Sequence, residues 1–575
     1  MKPVQMKKGY DSSKEILRLI RSVNEHWLLS IRESNPAILE IFRDRDIKPY
    51  RDLLPWSGEF IGKTLTGAHT VYRLIRDDRL REYVTGLLDE LIGYIDPDTG
   101  YLGCFPTHTG LTGLFTDHPE GPLYTWDAWN HYHCMMGLYL WALELDSPKY
   151  LGAVESVARG FLPRFYGDRP TLASIGYTEM NLAPIHIFAL LHQTTGKTEY
   201  LDFALRILAD LESEDAGNYF LDALRGVPFY RSTKPRWESM HIIMGIAELY
   251  GCTGDGRYLR AALGIFDSIL STDVHNTGGF STNEMAVGNP YEDGAIELCC
   301  VVAFNALAAT LYRYTGKARI ANFLEYSLYN AVMGSFSPSG RWSTYNTPMD
   351  GIRIANTQQI VFQSRPGSPF LNCCSVNAAR GLGMLSDWAF MEEEGRLVVN
   401  WYEAGRIETA SGVALTVTGE YPALPQVHME VKCTAPVKMD LRIPDWSETT
   451  VVRYGDNEYR PSPDSYLRLD IPAGAAEVHI LFDFTPRVFT GDGEKTGKKS
   501  VAIGPLLFGC DIFSNPKIAL DRLPPVSLRS LADTDPVIGP GRRVEYHLEN
   551  GLILKDFYHL GESGCPYRTW LNVVP

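Results

Sequence analysis

Two short segments hold the residue types from which chemistry could be built. Glu297-Leu298-Cys299 places a carboxylate and a thiol two residues apart, with Cys300 following, and Asn372-Cys373-Cys374 brings two adjacent thiols from a distant part of the chain. Three thiolates and one carboxylate suit tetrahedral Zn2+. The spacing is not that of a zinc finger, which uses CxxC knuckles on a small domain. On chemistry alone, such a four-ligand set reads either as a staple tying two loops together or as part of a reactive centre. The other six of the 10 cysteines (Cys104, Cys134, Cys252, Cys433, Cys510 and Cys565) stand alone and read as small buried hydrophobes.

The elements that must position these groups follow from a recurring pattern. Up to about Tyr329, an apolar helical segment is followed by a polar break, often Thr-Gly, and then by a second helix opening on an aromatic or aliphatic residue. The breaks at Thr195-Gly196, Thr253-Gly254 and Thr315-Gly316 are the clearest, with degenerate copies at Arg76-Asp77-Asp78 and Asp146-Ser147-Pro148. Each glycine suits the left-handed residue that ends a helix, so every copy reads as a helical hairpin. The period of about sixty residues is that of a toroid of hairpins. The sequence therefore predicts an (α/α)6 barrel rather than an open solenoid, because insertions such as residues 101–124 suit active-site walls. After Trp388 the pattern changes to the alternation of strands, as in Leu397-Val398-Val399, Val413-Ala414-Leu415-Thr416-Val417 and Met429-Glu430-Val431. The expected organisation is a barrel over 1–388, a β-sandwich over 389–495, and a second β segment, or a return of the first, over 496–575.

Bulk properties narrow the partners. With 575 residues and 45% hydrophobic content the chain can bury several cores. The net charge of -15, with Lys and Arg scattered, argues against nucleic acid and anionic membranes. The N-terminus has basic residues without an apolar stretch behind them, and no later run reads as long and apolar enough to span a bilayer, so a cytoplasmic location is expected.

The chain resembles the β-L-arabinofuranosidase-type glycoside hydrolases, family 127 and its relatives. The resemblance is carried by Trp56-Ser57-Gly58-Glu59-Phe60 with Gly62-Lys63, Gly278-Gly279-Phe280-Ser281-Thr282-Asn283-Glu284, Glu297-Leu298-Cys299, Tyr345-Asn346-Thr347-Pro348-Met349, Cys373-Cys374 with Asn377 and Arg380, and Gly504-Pro505-Leu506. It implies an (α/α)6 barrel followed by β-sandwich domains, and Zn2+ held by Glu297, Cys299, Cys373 and Cys374. It also implies that Cys373 is the nucleophile of a retaining glycosidase and Glu284 its acid/base. The nucleophile role makes physical sense, because coordination keeps a thiol deprotonated at neutral pH. Glu292 and Asp293 compete with Glu284 for the second role. The implied substrate is an oligosaccharide of plant origin bearing a furanose, L-arabinofuranose first and another furanoside such as a branched or acidic one from pectin second, with an exo mode of action and a homodimeric assembly.

By the same resemblance His133, His241, Tyr345, Asn181 and Trp56 are expected to contact sugar, Asn181 standing where some members carry a histidine. Trp126, Trp129 and Trp342 are further candidates for the pocket wall. The chain departs from the family pattern after the cysteine pair, where Ser375-Val376-Asn377 replaces Pro-Pro-Asn. Two other readings remain open. One is a sugar epimerase, isomerase or unsaturated uronyl hydrolase on a similar barrel without reactive cysteines; the other is a glycan-binding protein with structural zinc.

Overall fold

The computed structural model describes residues 1–360, 363, 367–369 and 371–575. Among these residues twelve helices form the barrel: α1 (Glu15–His26), α2 (Glu59–Ile75), α3 (Asp78–Ile92), α4 (Asp127–Glu144), α5 (Pro148–Phe165), α6 (Pro184–Thr195), α7 (Thr198–Asp210), α8 (Ser239–Thr253), α9 (Gly256–Thr272), α10 (Leu298–Thr315), α11 (Ala318–Ser327) and α12 (Cys373–Gly383). The even-numbered helices contact one another in the closed order α2, α4, α6, α8, α10, α12 and back to α2, and the odd-numbered helices lie outside them. Burial follows that division. Helix α2 is covered on nearly every side, whereas α3 buries only the stripe Leu80, Val84, Leu87, Leu88 and Leu91.

Each hairpin break has a left-handed residue at the turn: Arg76 at φ 49°, Asp146 at 47°, Gly196 at 70°, Gly254 at 72° and Gly316 at 59°. The inner helices approach closely where side chains are absent. A Cβ on Gly62 would lie 2.2 Å from the carbonyl of His133, so α2 and α4 can meet only with glycine there. Helix α10 is, by length and composition, apolar enough to cross a membrane, with mean hydropathy 1.3 over 18 residues, against the expectation from sequence. It is an inner helix of the barrel, with 78% of that window buried in protein.

Among the described residues, three large sheets lie beyond the barrel, with a small parallel pair of Val526–Ser527 and Val573–Val574 beside them. The first contains β1 (Lys2–Pro3), β2 (Phe390–Glu393), β3 (Arg396–Val399), β7 (Val437–Ile443) and β10 (Ser465–Ile471), in the order β1–β2–β3–β7–β10. The second contains β4 (Gly405–Glu408), β5 (Val413–Thr418), β6 (Gln426–Cys433), β8 (Val451–Tyr454), β9 (Asn457–Tyr459) and β11 (Gly474–Leu481), in the order β9–β8–β11–β6–β5–β4. Their buried faces alternate along the strands, as Val413, Leu415 and Val417 do, and join one core. The N-terminal strand belongs to this region although it precedes the barrel, because Lys2 and Pro3 pair with Glu392 and Met391. The last region has its own seven-stranded sheet, built on the central hairpin Lys499–Ile503 and Leu506–Asp511.

Candidate active site

The six inner helices run parallel, as contacts between like ends show. At one end Trp129 of α4 bonds Glu59 of α2 and packs edge-on 5.0 Å from His241 of α8. At the other, Arg76 after α2 meets Glu144 of α4, and Arg313 of α10 meets Glu248 of α8. The N-terminal ends therefore converge on one mouth, where unpaired backbone N–H groups and helix dipoles favour negative charge. Cys299 lies in the first turn of α10, and Cys373 and Cys374 open α12.

Glu297, Cys299, Cys373 and Cys374 come together there, all buried, with one donor atom from each lying within 4.8 Å of the others. Cys373 Sγ is 3.9 Å from Cys374 Sγ, and the two thiols lie 3.5 and 3.3 Å from Glu297 Oε1. A tetrahedral Zn2+ bonded at ordinary lengths would hold its sulfurs about 3.8 Å apart and a sulfur and oxygen about 3.5 Å apart. The donor set thus fits a metal ion in kind and in spacing. Burial and the neighbouring Cys373 push the Glu297 carboxyl well above its ordinary range. Burial also works against Cys299, but hydrogen bonds from Cys373 and Cys374, with Lys63, outweigh it and lower that thiol to about 6. The hydrogen bond to Cys299 pushes Cys373 up to about 12. Of the three thiols Cys373 alone keeps measurable surface, 8% against 0% for the other two.

The start of α12 is fixed by a capping box: Asn372 Oδ1 accepts from Ser375 N at 3.0 Å, and Asn372 N donates to Ser375 Oγ at 3.3 Å. Ser375, the departure from the family's Pro-Pro, is thereby the residue that closes the cap. Gln363 adds a clamp, its Oε1 accepting from Cys373 N at 3.0 Å.

Glu284 faces this cluster from a strained turn. Thr282 and Met285 exchange backbone hydrogen bonds across Asn283 and Glu284, which both have left-handed backbone, at φ 49° and 69°. Such a turn accepts asparagine readily and normally asks for glycine where Glu284 stands. Asn283 is tied to Ala295 through both backbone and side chain. Tyr345 Oη donates to Glu284 Oε1 at 2.9 Å and lies 3.4 Å from Glu297 Oε2, joining the two carboxylates. Arg236 holds Glu284 Oε2 at 2.7 Å and also grips Glu238 at 2.6 and 3.0 Å. Burial outweighs that guanidinium and raises Glu238 to about 7. Of the competitors, Asp293 is turned away, bound by Lys495 at 2.7 Å.

His133 and His241 lie in a buried layer beneath, their rings 5.2 Å apart and both against Trp129. Burial, with the positive charges of Lys63 and Arg380, keeps both imidazoles neutral. His241 Nδ1 shares the Tyr132 hydroxyl with His186 at 2.8 and 2.9 Å, while His133 Nε2 has no hydrogen-bond partner among the described residues. Trp56 stacks obliquely 4.8 Å from Trp126, which in turn meets the exposed Tyr177. Asn181, among the expected sugar contacts, is fully buried: its amide donates to Gly176 O at 2.9 Å and Thr125 O at 3.3 Å, and its oxygen accepts from Trp129 N, so these bonds tie it to the start of α4.

The sequence reading passed over the ion pair of Lys63 and Glu59, at 2.8 Å and almost wholly buried, with the ammonium 5.2 Å from the Trp237 ring and 5.6 Å from that of Trp129. Their i, i+4 spacing inside an apolar helix was a readable signal, since an unpaired lysine is rarely buried. Arg236 and Glu238 had no comparable signal, because their partner Glu284 is remote in sequence.

Comparison with known proteins agrees with this arrangement. The model of the β-L-arabinofuranosidase GH127 catalytic domain matches residues 18–387, and that of the GH127 middle domain matches 396–478. Among solved structures, a GH127 beta-arabinofuranosidase superposes with TM-score 0.74 at 17% identity, covering 100% of this chain and 98% of its own. Ara127N-Se, a GH127 beta-L-arabinofuranosidase from Geobacillus stearothermophilus T6, gives 0.75 at 15% identity, covering 99% and 100%. These likenesses show a shared fold. A search of curated protein sequences gives no match. With the catalytic-domain model spanning most of the chain, this protein belongs to the GH127 β-L-arabinofuranosidase family and is a glycoside hydrolase.

Proposed function

We propose that the enzyme releases a terminal β-L-arabinofuranose from plant oligosaccharides with retention, using Cys373 as nucleophile and Glu284 as acid/base. The observation that carries this reading is the pairing, at one barrel mouth, of a metal-type cluster whose single accessible thiol is Cys373 with a carboxylate linked to it through Tyr345. Glu297, Cys299, Cys373 and Cys374 would hold Zn2+, which supplies stabilisation of thiolate at neutral pH.

In the first step Cys373 Sγ attacks the anomeric carbon as the bond to the leaving oxygen breaks, and Glu284 gives that oxygen its proton. In the second, Glu284 takes a proton from water, whose oxygen displaces Cys373 Sγ, so two inversions give net retention. Arg236 is shared with Glu238, so it orients Glu284 without pairing with it exclusively. The family resemblance assigns His133 to a sugar hydroxyl, and its buried Nε2 has no hydrogen-bond partner among the described residues; the Trp56 and Trp126 wall offers an apolar face to the ring. Two identical subunits are the assembly expected from the family resemblance.

The test is p-nitrophenol release from an aryl β-L-arabinofuranoside by wild type and Cys373→Ser, with metal analysis of both. Stoichiometric zinc in the wild type and loss of release in the folded variant are expected. Hydrolysis persisting at the wild-type rate in Cys373→Ser would sink the nucleophile assignment, and release from other furanosides alone would overturn the sugar.

A further inference from the structure

The outer face of the six-stranded sheet brings together a second set of residues of metal-ligating type, far in sequence from the barrel cluster. In the antiparallel register of β6 and β11, His428 lies directly opposite His479, and Glu477 is two residues before His479 on the same strand and hence on the same face. The two imidazoles stack with centroids 4.4 Å apart and planes 22° apart. His428 Nε2 lies 3.7 Å from Glu477 Oε2, and His479 Nε2 lies 3.9 Å from that same oxygen.

The surroundings favour a cation between them. Thr418, opposite His428 on β5, places its hydroxyl 3.3 Å from His428 Nδ1, which orients the ring and leaves Nε2 as the free nitrogen. That Nε2 is shielded from solvent and has no hydrogen-bond partner among the described residues. Neighbouring charges are already engaged. Glu430, opposite Glu477, is taken by Lys432 at 2.6 Å, and Arg453, opposite His479, is turned to Glu458 at 3.0 Å. An ion bonded at about 2.0–2.1 Å to each donor would ask for nitrogen–oxygen separations of about 3.3–3.5 Å, a few tenths of an ångström less than the resting ones. Side-chain rotation on an open sheet face supplies that.

We propose that His428, Glu477 and His479 form a surface site for a divalent first-row transition ion such as Zn2+, distinct from the buried cysteine cluster. Two neutral imidazoles and one carboxylate are a donor set for such ions, and water would complete the coordination. The strands fix the spacing, so the site is present before the ion arrives.

Calorimetric titration of Zn2+ into the protein as isolated, at about pH 7.5, tests this against His428→Ala, His479→Ala and Glu477→Gln. Wild type should take up one more equivalent than either histidine variant, and Glu477→Gln should bind it about tenfold or more weakly. Any zinc entering the cysteine cluster appears in all four titrations and cancels. Hydrolytic activity should be the same in all four. Equal uptake by wild type and the histidine variants, or no extra uptake by wild type, would overturn the site. If a histidine variant failed to fold, the nearly isosteric Glu477→Gln would carry the comparison alone.

Discussion

Glu284 stands on backbone that a glycine would occupy with less strain, and both its oxygens are already engaged, by Tyr345 and Arg236. Strain of this kind costs about 1–3 kcal/mol and persists where surrounding contacts enforce it. If the residue is the proton donor, Glu284→Gln should slow hydrolysis most for substrates with poor leaving groups and least for activated aryl glycosides, a comparison made by measuring kcat/KM across a leaving-group series. Equal losses along the series would instead indicate a positioning role. Asn181 makes the opposite case. Its three hydrogen bonds end on backbone groups, so Asn181→Ala should cost about 1–3 kcal/mol in unfolding free energy while leaving sugar preference unchanged. A changed preference at undiminished stability would instead make it a sugar contact.

Among elements, the parallel inner helices set up both ends of the barrel. Their N-termini gather the cysteines and carboxylates. Their C-termini are joined by pairs such as Arg76 with Glu144, where a left-handed residue after α2 reaches the end of α4. Burial works against the charge on Glu144, but His69 and Arg76 outweigh it and hold the carboxyl at about 2. His69 is pushed below its ordinary value by its own burial, so at neutral pH the charged partner is Arg76. A carboxyl lowered in the fold contributes stability above its unfolded value of about 4.3, and that contribution is lost as pH falls toward the folded value. Wild type should therefore exceed Glu144→Gln in stability by up to about 3 kcal/mol near pH 6, with the gap closing by about pH 2, as thermal unfolding across that range would reveal.

For the whole molecule, the barrel and the first sheet are joined by a buried charge network. Arg442 on β7 meets Glu325 on α11 at 2.6 Å with both side chains fully covered; it also donates to Asn322 Oδ1 at 2.6 Å and to Asn400 O, while Tyr421 donates to Glu325 at 2.7 Å. Removing one partner leaves a charge without compensation in low dielectric, so Arg442→Met should cost about 3–5 kcal/mol. Adding Glu325→Gln should recover part of that loss, and chemical denaturation of the two singles and the double measures it. A double variant as unstable as the sum of the singles would mean that the pair does not act as a unit.

Much of this architecture was legible in the chain itself. The Thr-Gly breaks announced helical hairpins because the left-handed residue ending a helix is a local requirement, and strand alternation after Trp388 reports burial on one side of a sheet, also a local matter. Glu297-Leu298-Cys299 and Cys373-Cys374 announced a possible metal donor set through residue type. What the sequence could not contain was distance. Only the closed ring of inner helices brings Arg236 to Glu284, makes Tyr345 the bridge between two carboxylates, and leaves Cys373 the one thiol of the cluster with measurable surface. The same closure spends Asn181 on backbone and draws the N-terminal strand into a sheet that begins some 390 residues later. These outcomes depend on which groups meet across the fold and which of them keep contact with solvent, and local sequence sets neither.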